Sequence, residues 1–139
     1  MIILDTNVVS ESTKLIPSDR VIKWLRILPA QSTFITAITA MELWTGAAYL
    51  PKGKRREQIE QDNRLLMSDV YLNRVLPFDL DASEICGKLI ADSKADRRNI
   101  RLPDIQIAAI ALLRGFTLAT RNVADFQFEG LKLIDPWTD

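Results

Sequence analysis

Residues 2–7 of the chain, Ile-Ile-Leu-Asp-Thr-Asn, decide the fold, because three aliphatic residues run directly into a group of helix-capping residues. An unbroken apolar run of this kind is typical of a short strand that is buried on both faces of a sheet. Asp5, Thr6 and Asn7 then favour the start of a helix. The chain is therefore predicted to begin with a buried strand that carries Asp5 at its carboxyl end.

Short strands and helices are predicted to alternate through the rest of the chain. Further strands are predicted at residues 33–35, 75–78, 116–120 and 131–134. Helices are predicted from a start at Pro17, Ser18 and Asp19 to near Pro29, from a cap at Thr36 to Leu50, over 55–72, from a cap at Asp81 into the basic stretch 94–101, and from Pro103 to Gly115. Because parallel strands need crossover connections, this alternation predicts an α/β domain with three layers (α/β/α) and a central parallel sheet of four to five strands.

Length and composition narrow the class of protein. The chain has 139 residues, which suits a single domain spanning 1–139. Hydrophobic residues make up 47% and charged residues 26%, which indicates a folded globular chain rather than a disordered one. The 18 Lys and Arg residues balance 18 Asp and Glu residues, so any contact with a polyanion must be local.

The usage of cysteine and histidine restricts the possible metal chemistry. The chain has no histidine, and Cys86 has no second cysteine with which to pair. The usual zinc ligands are therefore missing, and a lone cysteine suits a reducing cytoplasm. No basic leader precedes an apolar run, and no stretch is long enough to span a bilayer. We expect a cytoplasmic protein without membrane contact.

Four acids, Asp5, Glu42, Asp104 and Asp125, fall at or near the start of a predicted helix or the end of a predicted strand. Each has an ordinary explanation as a helix cap, a partner of the helix dipole, a solvated helix face or a loop acid. Taken together they lie near one sheet edge, where ligands bind in open α/β sheets. Clustered carboxylates repel unless a cation neutralises them, and oxygen ligands suit Mg²⁺ or Mn²⁺. A phosphodiester is the substrate that fits such an ion.

The segments around these acids carry a family resemblance. Residues 2–11 (IILDTNVVSE), 36–43 (TAITAMEL), 102–109 (LPDIQIAA) and 119–126 (ATRNVADF) resemble, in order, the motifs of PIN-domain ribonucleases. Residues 134–137 (IDPW) are similar to the tail of the VapC and FitB branch. The resemblance spans nearly the whole chain and implies a PIN-like fold.

The resemblance implies the toxin of a VapBC-type toxin–antitoxin pair, an endoribonuclease that needs Mg²⁺ or Mn²⁺. Asp5, Glu42 and Asp104 fall on the first three acidic positions of the family, as catalytic residues and metal ligands. Some relatives place the fourth acid where this chain has Asn122, and others place it where this chain has Asp125. We assign Asp125 to that role, with Asn7, Thr120 and Asn122 as supporting polar groups.

The implied mechanism is in-line hydrolysis by metal-activated water, which leaves a 5′-phosphate and a 3′-hydroxyl without a histidine base. The implied partners are RNA, a VapB-type antitoxin whose peptide blocks the acidic groove, and a second copy of the chain in a homodimer. With the antitoxin we expect a heterotetramer or a larger assembly. Operator DNA is expected to be contacted only through the antitoxin.

Two basic clusters are candidates for contact with the RNA backbone. Lys54 and Arg55 lie in the first, and Arg98 and Arg101 lie in the second, just before Asp104. The ordinary explanation for any one of them is a solvated helix end or loop.

Two other function classes remain open at the level of sequence. A phosphotransfer domain also places aspartate at strand ends, but a dehalogenase-like site needs a second aspartate where this chain has Asn7, and the lysine of a receiver domain is missing. A noncatalytic PIN-like module that binds RNA or protein is the other alternative, which Asn122 keeps open. Acyl-phosphate trapping on Asp5 distinguishes the first, and metal titration with an RNA cleavage assay distinguishes the second.

Overall fold

The strand that opens the sequence lies at the centre of the sheet. A computed structural model describes residues 1–139 and contains five parallel strands in the order β3-β2-β1-β4-β5. The strands are β1 (Ile2–Leu4), β2 (Thr33–Thr36), β3 (Val75–Leu76), β4 (Thr117–Ala119) and β5 (Leu133–Ile134). Every pairing is parallel. The prediction of a central parallel sheet is confirmed.

Six α-helices connect the strands. They are α1 (Thr6–Glu11), α2 (Asp19–Ile27), α3 (Ala37–Tyr49), α4 (Lys54–Leu65), α5 (Leu80–Ala95) and α6 (Leu102–Arg114). Several begin at the caps that the sequence predicts: Ser18 accepts from the Val21 N–H, Thr36 accepts from the Thr39 N–H at 3.0 Å, and α6 has Pro103 in its first turn. None of these helices combines the length and the apolar character that crossing a membrane requires.

Buried aliphatic residues cover both faces of the sheet. On one face, Ile3 of β1 and Leu118 of β4 belong to a core with Ile107 and Ile110 of α6 and Ala82 of α5. The second core, on the other side, joins Leu4 and Ile35 of the sheet to side chains of α1 and α2, namely Val8, Val9 and Val21. The three-layer α/β/α prediction is therefore confirmed.

The chain changes direction across the sheet at β1. From β1 it moves outward to β2 and β3, then returns to add β4 and β5 on the other side. Leu4 lies opposite Ala119 in the β1–β4 pair, so Asp5 and Thr120 follow at the same sheet edge. A crevice at the carboxyl ends of the strands is expected at such a switch point.

Several predicted boundaries were wrong, among them those of the strand predicted at 131–134, which has only the two residues of β5. Asp79, not Asp81, caps α5, and its Oδ1 accepts from the Ala82 N–H at 2.9 Å. The helix predicted over 55–72 leaves α-helical geometry after Leu65 and continues as a π-helical turn over Leu66–Val70. The strand predicted at 75–78 has only the two residues of β3.

Candidate active site

Asp5 has two roles at the end of β1. It caps α1, because its Oδ1 accepts from the Thr6 N–H at 2.8 Å. Its Oδ2 accepts from Thr120 Oγ1 at 2.7 Å and from Asn7 Nδ2 at 3.1 Å. These three donors are neutral and fix the orientation of a carboxylate that is only 3% exposed.

Glu42, in the second turn of α3, reaches across to both α1 and α6. Its Oε1 accepts from Thr6 Oγ1 at 2.8 Å, and its Oε2 forms an ion pair with Arg101 Nη2 at 2.9 Å. Thr39 lies one turn earlier on the same helix, with its Oγ1 3.4 Å from Thr6 Oγ1. Threonine hydroxyls therefore tie the first turn of α1 to α3 and hold Glu42 beside Asp5.

Asp104 is the third residue of α6 and is 5% exposed. Burial, followed by the negative charge of Asp5, raises the pKa of Asp104 to about 6, against a lowering effect of Arg101. No hydrogen bond contributes to that pKa, so the carboxylate is buried without a donor of its own. Burial also raises the pKa of Asp5, against the lowering effect of its hydrogen bond from Thr120.

These side chains line one pocket of about 270 Å³, and none of the lining residues is hydrophobic. The lining residues are Asp5, Thr6, Asn7, Ser10, Glu42, Arg101, Asp104 and Asn122. The structure thus brings together three of the four predicted acids, two of the three predicted supporting groups, and Thr120 through its bond to Asp5.

The fourth acidic position is divided between two residues. Asn122 lines the pocket, whereas Asp125 is exposed on the 3₁₀ turn Val123–Phe126 that follows. The charge of Asp125 still raises the pKa of Asp104, so the two carboxylates lie within electrostatic range of each other. The assignment of Asp125 as a ligand stays a prediction, with Asn122 nearer to the other acids.

Of the four predicted RNA-contacting residues, only Arg101 lines the acidic pocket. Arg98 is half-buried and donates to the carbonyls of Gln127 at 2.6 Å and Ala124 at 3.4 Å, beside a separate cavity. Lys54 begins α4, and Arg55 donates to the Thr13 carbonyl at 3.3 Å. Contact between RNA and Lys54, Arg55 or Arg98 stays a prediction.

Thr6 and Ser10 also line the pocket, and neither was predicted from the sequence as a site residue. Thr6 follows Asp5 directly, so its place beside a strand-end acid was the available signal. Its bond to Glu42 spans 36 residues of sequence. That contact depends on how α1 packs against α3, which local pattern does not reveal.

The donor set suits a hard divalent cation. No three Asp, Glu or Cys side chains converge closely enough to hold a metal ion together in this arrangement, and Arg101 occupies one oxygen of Glu42. Mg²⁺, however, typically takes one or two protein carboxylates and keeps several waters. Asp5 and Asp104 supply that pair, and a cation between them would relieve the burial and repulsion that raise both pKa values.

The comparison with known families decides the identity of the domain. Residues 2–127 match the PIN domain family. The chain belongs to the PIN-domain family. The match includes the strand that carries Asp5, the helices that carry Glu42 and Asp104, and the turn that carries Asn122 and Asp125.

Relatives of this PIN domain have names from toxin–antitoxin systems. It is 40% identical over 137 residues to the VapC ribonuclease Y4jK of Sinorhizobium fredii, covering 99% of this chain and 98% of the relative. It is 33% identical over 139 residues to toxin FitB of Neisseria gonorrhoeae, covering all of both chains.

Solved structures agree with this placement. The crystal structure of FitAcB from Neisseria gonorrhoeae matches this PIN domain with a TM-score of 0.91 at 33% identity, covering 99% of both chains. VapBC2 from Rickettsia felis, bound to a DNA fragment from its promoter, matches with a TM-score of 0.74 at 26% identity, covering 96% of this chain and 98% of the other. The PIN-like fold predicted from the sequence is confirmed.

Proposed function

We propose that this PIN domain is a metal-dependent endoribonuclease and the toxin of a VapBC-type toxin–antitoxin pair. The observation that carries the proposal is the pair of buried carboxylates, Asp5 and Asp104, which share a pocket without hydrophobic lining residues and whose pKa values are both raised by burial. The VapC ribonuclease and toxin FitB names of its relatives support the same activity.

Mg²⁺ is the proposed cofactor, and Mn²⁺ offers similar chemistry. When bound, the ion supplies Lewis-acid chemistry, because it polarises a scissile phosphate and makes water nucleophilic near neutral pH. Asp5 and Asp104 are proposed as its most direct protein ligands. Glu42 and either Asp125 or Asn122 complete the site or orient a water molecule.

Neighbouring residues orient the carboxylates of Asp5 and Glu42 through hydrogen bonds. Thr120, Asn7 and the Thr6 N–H aim the Asp5 carboxylate, and Thr6 Oγ1 holds one oxygen of Glu42. Arg101 neutralises the other oxygen of Glu42 and must shift before that oxygen can bind a cation. Because no histidine is present, hydrolysis would proceed without a histidine base. Attack by water on the phosphorus, with the 3′-oxygen as leaving group, would give a 5′-phosphate and a 3′-hydroxyl.

The proposed partners follow from the complexes that the relatives form. FitAcB and DNA-bound VapBC2 support a VapB-type antitoxin as the inhibitor, with operator DNA contacted through the antitoxin. A homodimer in the cytoplasm, assembled with antitoxin into a heterotetramer or larger complex, completes the proposal. Sedimentation of the isolated chain tests the homodimer.

An RNA cleavage assay with defined variants tests the activity. The purified chain should cleave single-stranded RNA when Mg²⁺ or Mn²⁺ is added and stop when a chelator is added. Asp5→Asn and Asp104→Asn should both lose cleavage while keeping the circular dichroism spectrum of the parent. Asp92→Asn, which removes an exposed acid of α5 outside the acidic pocket, is the matched control and should cleave normally.

Two outcomes contradict the proposal. Cleavage that persists in the chelator or in Asp104→Asn would exclude the proposed metal site. Fragments that end in a 2′,3′-cyclic phosphate would exclude attack by water. Comparison of Asp125→Asn with Asn122→Ala then assigns the fourth position to the residue whose replacement weakens Mn²⁺ binding more.

A further inference from the structure

Arg121 lies at the rim of the acidic pocket. It follows Thr120, which holds Asp5, and precedes Asn122, which lines the pocket. Its backbone N–H donates to Asn7 Oδ1 at 3.3 Å. The backbone of Arg121 is therefore tied to Asn7, which lines the pocket, although its side chain takes no part in the site described above.

The side chain of Arg121 rests on a fixed aromatic ring. Its guanidinium carbon lies 5.3 Å from the centroid of the Trp137 ring, within the range of a cation–π contact. Trp137 is half-buried against the second core, and its backbone N–H donates to Asp135 Oδ1 at 2.9 Å. Arg20 of α2 holds the next two carbonyls of this segment at 2.7 and 2.8 Å. The Trp137 ring is therefore held in place and forms a platform for the Arg121 guanidinium.

Arg121 keeps its hydrogen-bond donors free. Its side chain is exposed and makes no hydrogen bond or ion pair within the chain. Arg98 offers a direct contrast, because it lies 5.0 Å from the Phe128 centroid in the same kind of contact but donates to two carbonyls. A guanidinium that is oriented by stacking and has free donors is suited to bind a planar or tetrahedral oxyanion.

Glu11, the acid on which the charge of Arg121 acts, already has a cationic partner. The nearby acid Glu11 is buried, which raises its pKa, but its hydrogen bonds from Lys14 and the Ser18 N–H and the charges of Lys14 and Arg121 together lower that pKa. Lys14 Nζ lies 2.6 Å from Glu11 Oε2 and compensates the carboxylate. The charge of Arg121 therefore remains available to a ligand.

We propose that Arg121, stacked on Trp137, binds a backbone phosphate of the RNA next to the acidic pocket. The net charge of the chain is zero and the pocket itself is acidic, so RNA needs a cation at the rim to approach. Arg101 is engaged with Glu42, whereas Arg121 is free. The inference rests on the proposed ribonuclease function, since it names a contact for the same substrate.

Salt-dependent RNA binding tests the proposal directly. Binding of a fluorescent single-stranded RNA of mixed sequence is measured by anisotropy over a range of salt concentrations, in the Asp104→Asn background so that no cleavage occurs. Adding Arg121→Gln should weaken binding and reduce the slope of log Kobs against log salt by about 0.7, the value expected for one lost phosphate contact on single-stranded RNA. Arg114→Gln, which removes an exposed cation at the opposite end of α6 from Asp104, is the matched control and should leave the slope unchanged.

Two further variants separate charge from orientation. Arg121→Lys keeps the cation and should keep the slope of the parent. Trp137→Leu keeps the charge of Arg121 but removes its platform, so affinity should fall at every salt concentration while the slope stays close to that of the parent. Trp137→Phe, which preserves an aromatic face, should restore part of the affinity, and circular dichroism checks that each variant is folded.

The possible failures point to different conclusions. An unchanged slope in Arg121→Gln, or equal losses in Arg121→Gln and Arg114→Gln, would overturn the phosphate site even if the parent chain cleaves RNA. A reduced slope in a chain that never cleaves RNA would support the phosphate site and overturn the nuclease function. Loss of antitoxin binding in Arg121→Gln, with RNA binding unchanged, would assign Arg121 to an acidic protein partner and overturn the proposal.

Discussion

Asp104 combines a functional position with a cost to the fold. It is buried, has no hydrogen-bond donor and lies within range of the charges of Asp5 and Glu42. A carboxylate in such surroundings destabilises the folded chain whenever it is ionised, unless a cation is present. Asp104, which is proposed to bind the metal directly, therefore destabilises the folded chain when no metal is bound.

Replacing this acid should stabilise the metal-free protein at neutral pH. The folded pKa of Asp104 is raised from its ordinary value of 3.8 to about 6, so between these values the folded chain holds a proton that the unfolded chain releases. The contribution of Asp104 to the stability of the parent should therefore fall as pH rises from about 4 to about 6, by roughly 3 kcal/mol. Asp104→Asn should lack this loss, as measured by urea denaturation over that pH range with a chelator.

A parallel pH dependence in the parent and in Asp104→Asn would contradict this account of Asp104. Asp92→Asn, which changes an exposed acid, should follow the parent and serves as the control for removing one negative charge.

Thr120 is predicted to act through Asp5 rather than on substrate. Its buried hydroxyl donates to Asp5 Oδ2 at 2.7 Å, and groups that orient a metal ligand typically contribute about 10- to 100-fold in metal affinity. Thr120→Val should weaken Mn²⁺ binding by that factor in titration calorimetry, whereas Thr120→Ser should bind nearly as the parent does. Equal affinity in the valine variant would show that the hydroxyl does not orient Asp5.

Elements that are specified by a few neighbouring residues were predicted correctly from the sequence. The apolar run of β1, the Thr36 cap of α3 and the Pro103 start of α6 all appear where the sequence indicates. The α4 helix ends earlier than its sequence pattern predicts, because Arg74 donates hydrogen bonds to the carbonyls of Val70 and Thr33. The chain there is drawn toward β2, a contact across 41 residues of sequence that periodicity does not contain.

The site was predictable to a similar degree. Asp5, Glu42 and Asp104 were found through motif and chemistry, and they share one pocket, while their catalytic roles stay predictions. The ion pair between Arg101 and Glu42 spans 59 residues and arises only when α3 and α6 meet at the sheet edge. The division between Asn122 and Asp125 likewise depends on the geometry of a 3₁₀ turn.

The contribution of the N-cap of α5 to stability can be tested by two single substitutions. Asp79 accepts from the Ala82 N–H, whereas Asp81 is exposed in the first turn and makes no capping bond. Asp79→Ala should lower the free energy of unfolding by about 1 kcal/mol, the usual value of an N-cap. Asp81→Ala removes the same charge two residues later and should cost only a few tenths of a kcal/mol through the helix dipole. Urea denaturation compares them, and equal losses would show that the cap contributes nothing specific.

Binding of a divalent ion should stabilise the whole molecule. Because Asp5 and Asp104 come from distant parts of the chain, the unfolded chain has no equivalent site. A ligand at 100 times its Kd that binds only the folded state contributes about 2.7 kcal/mol. Mn²⁺ should therefore raise the unfolding temperature of the parent and leave that of Asp5→Asn almost unchanged. A similar rise in both would place the ion elsewhere.

The central position of β1 also bears on how the chain behaves during its synthesis. Asp5 is synthesised 115 residues before Thr120, whose hydroxyl orients it, and the strand that precedes Asp5 pairs with β4. This strand must therefore wait for a much later segment before the site is complete, and such non-local pairing is slow to form. A nascent chain that has not yet reached Thr120 consequently has neither a finished sheet nor an assembled acidic pocket.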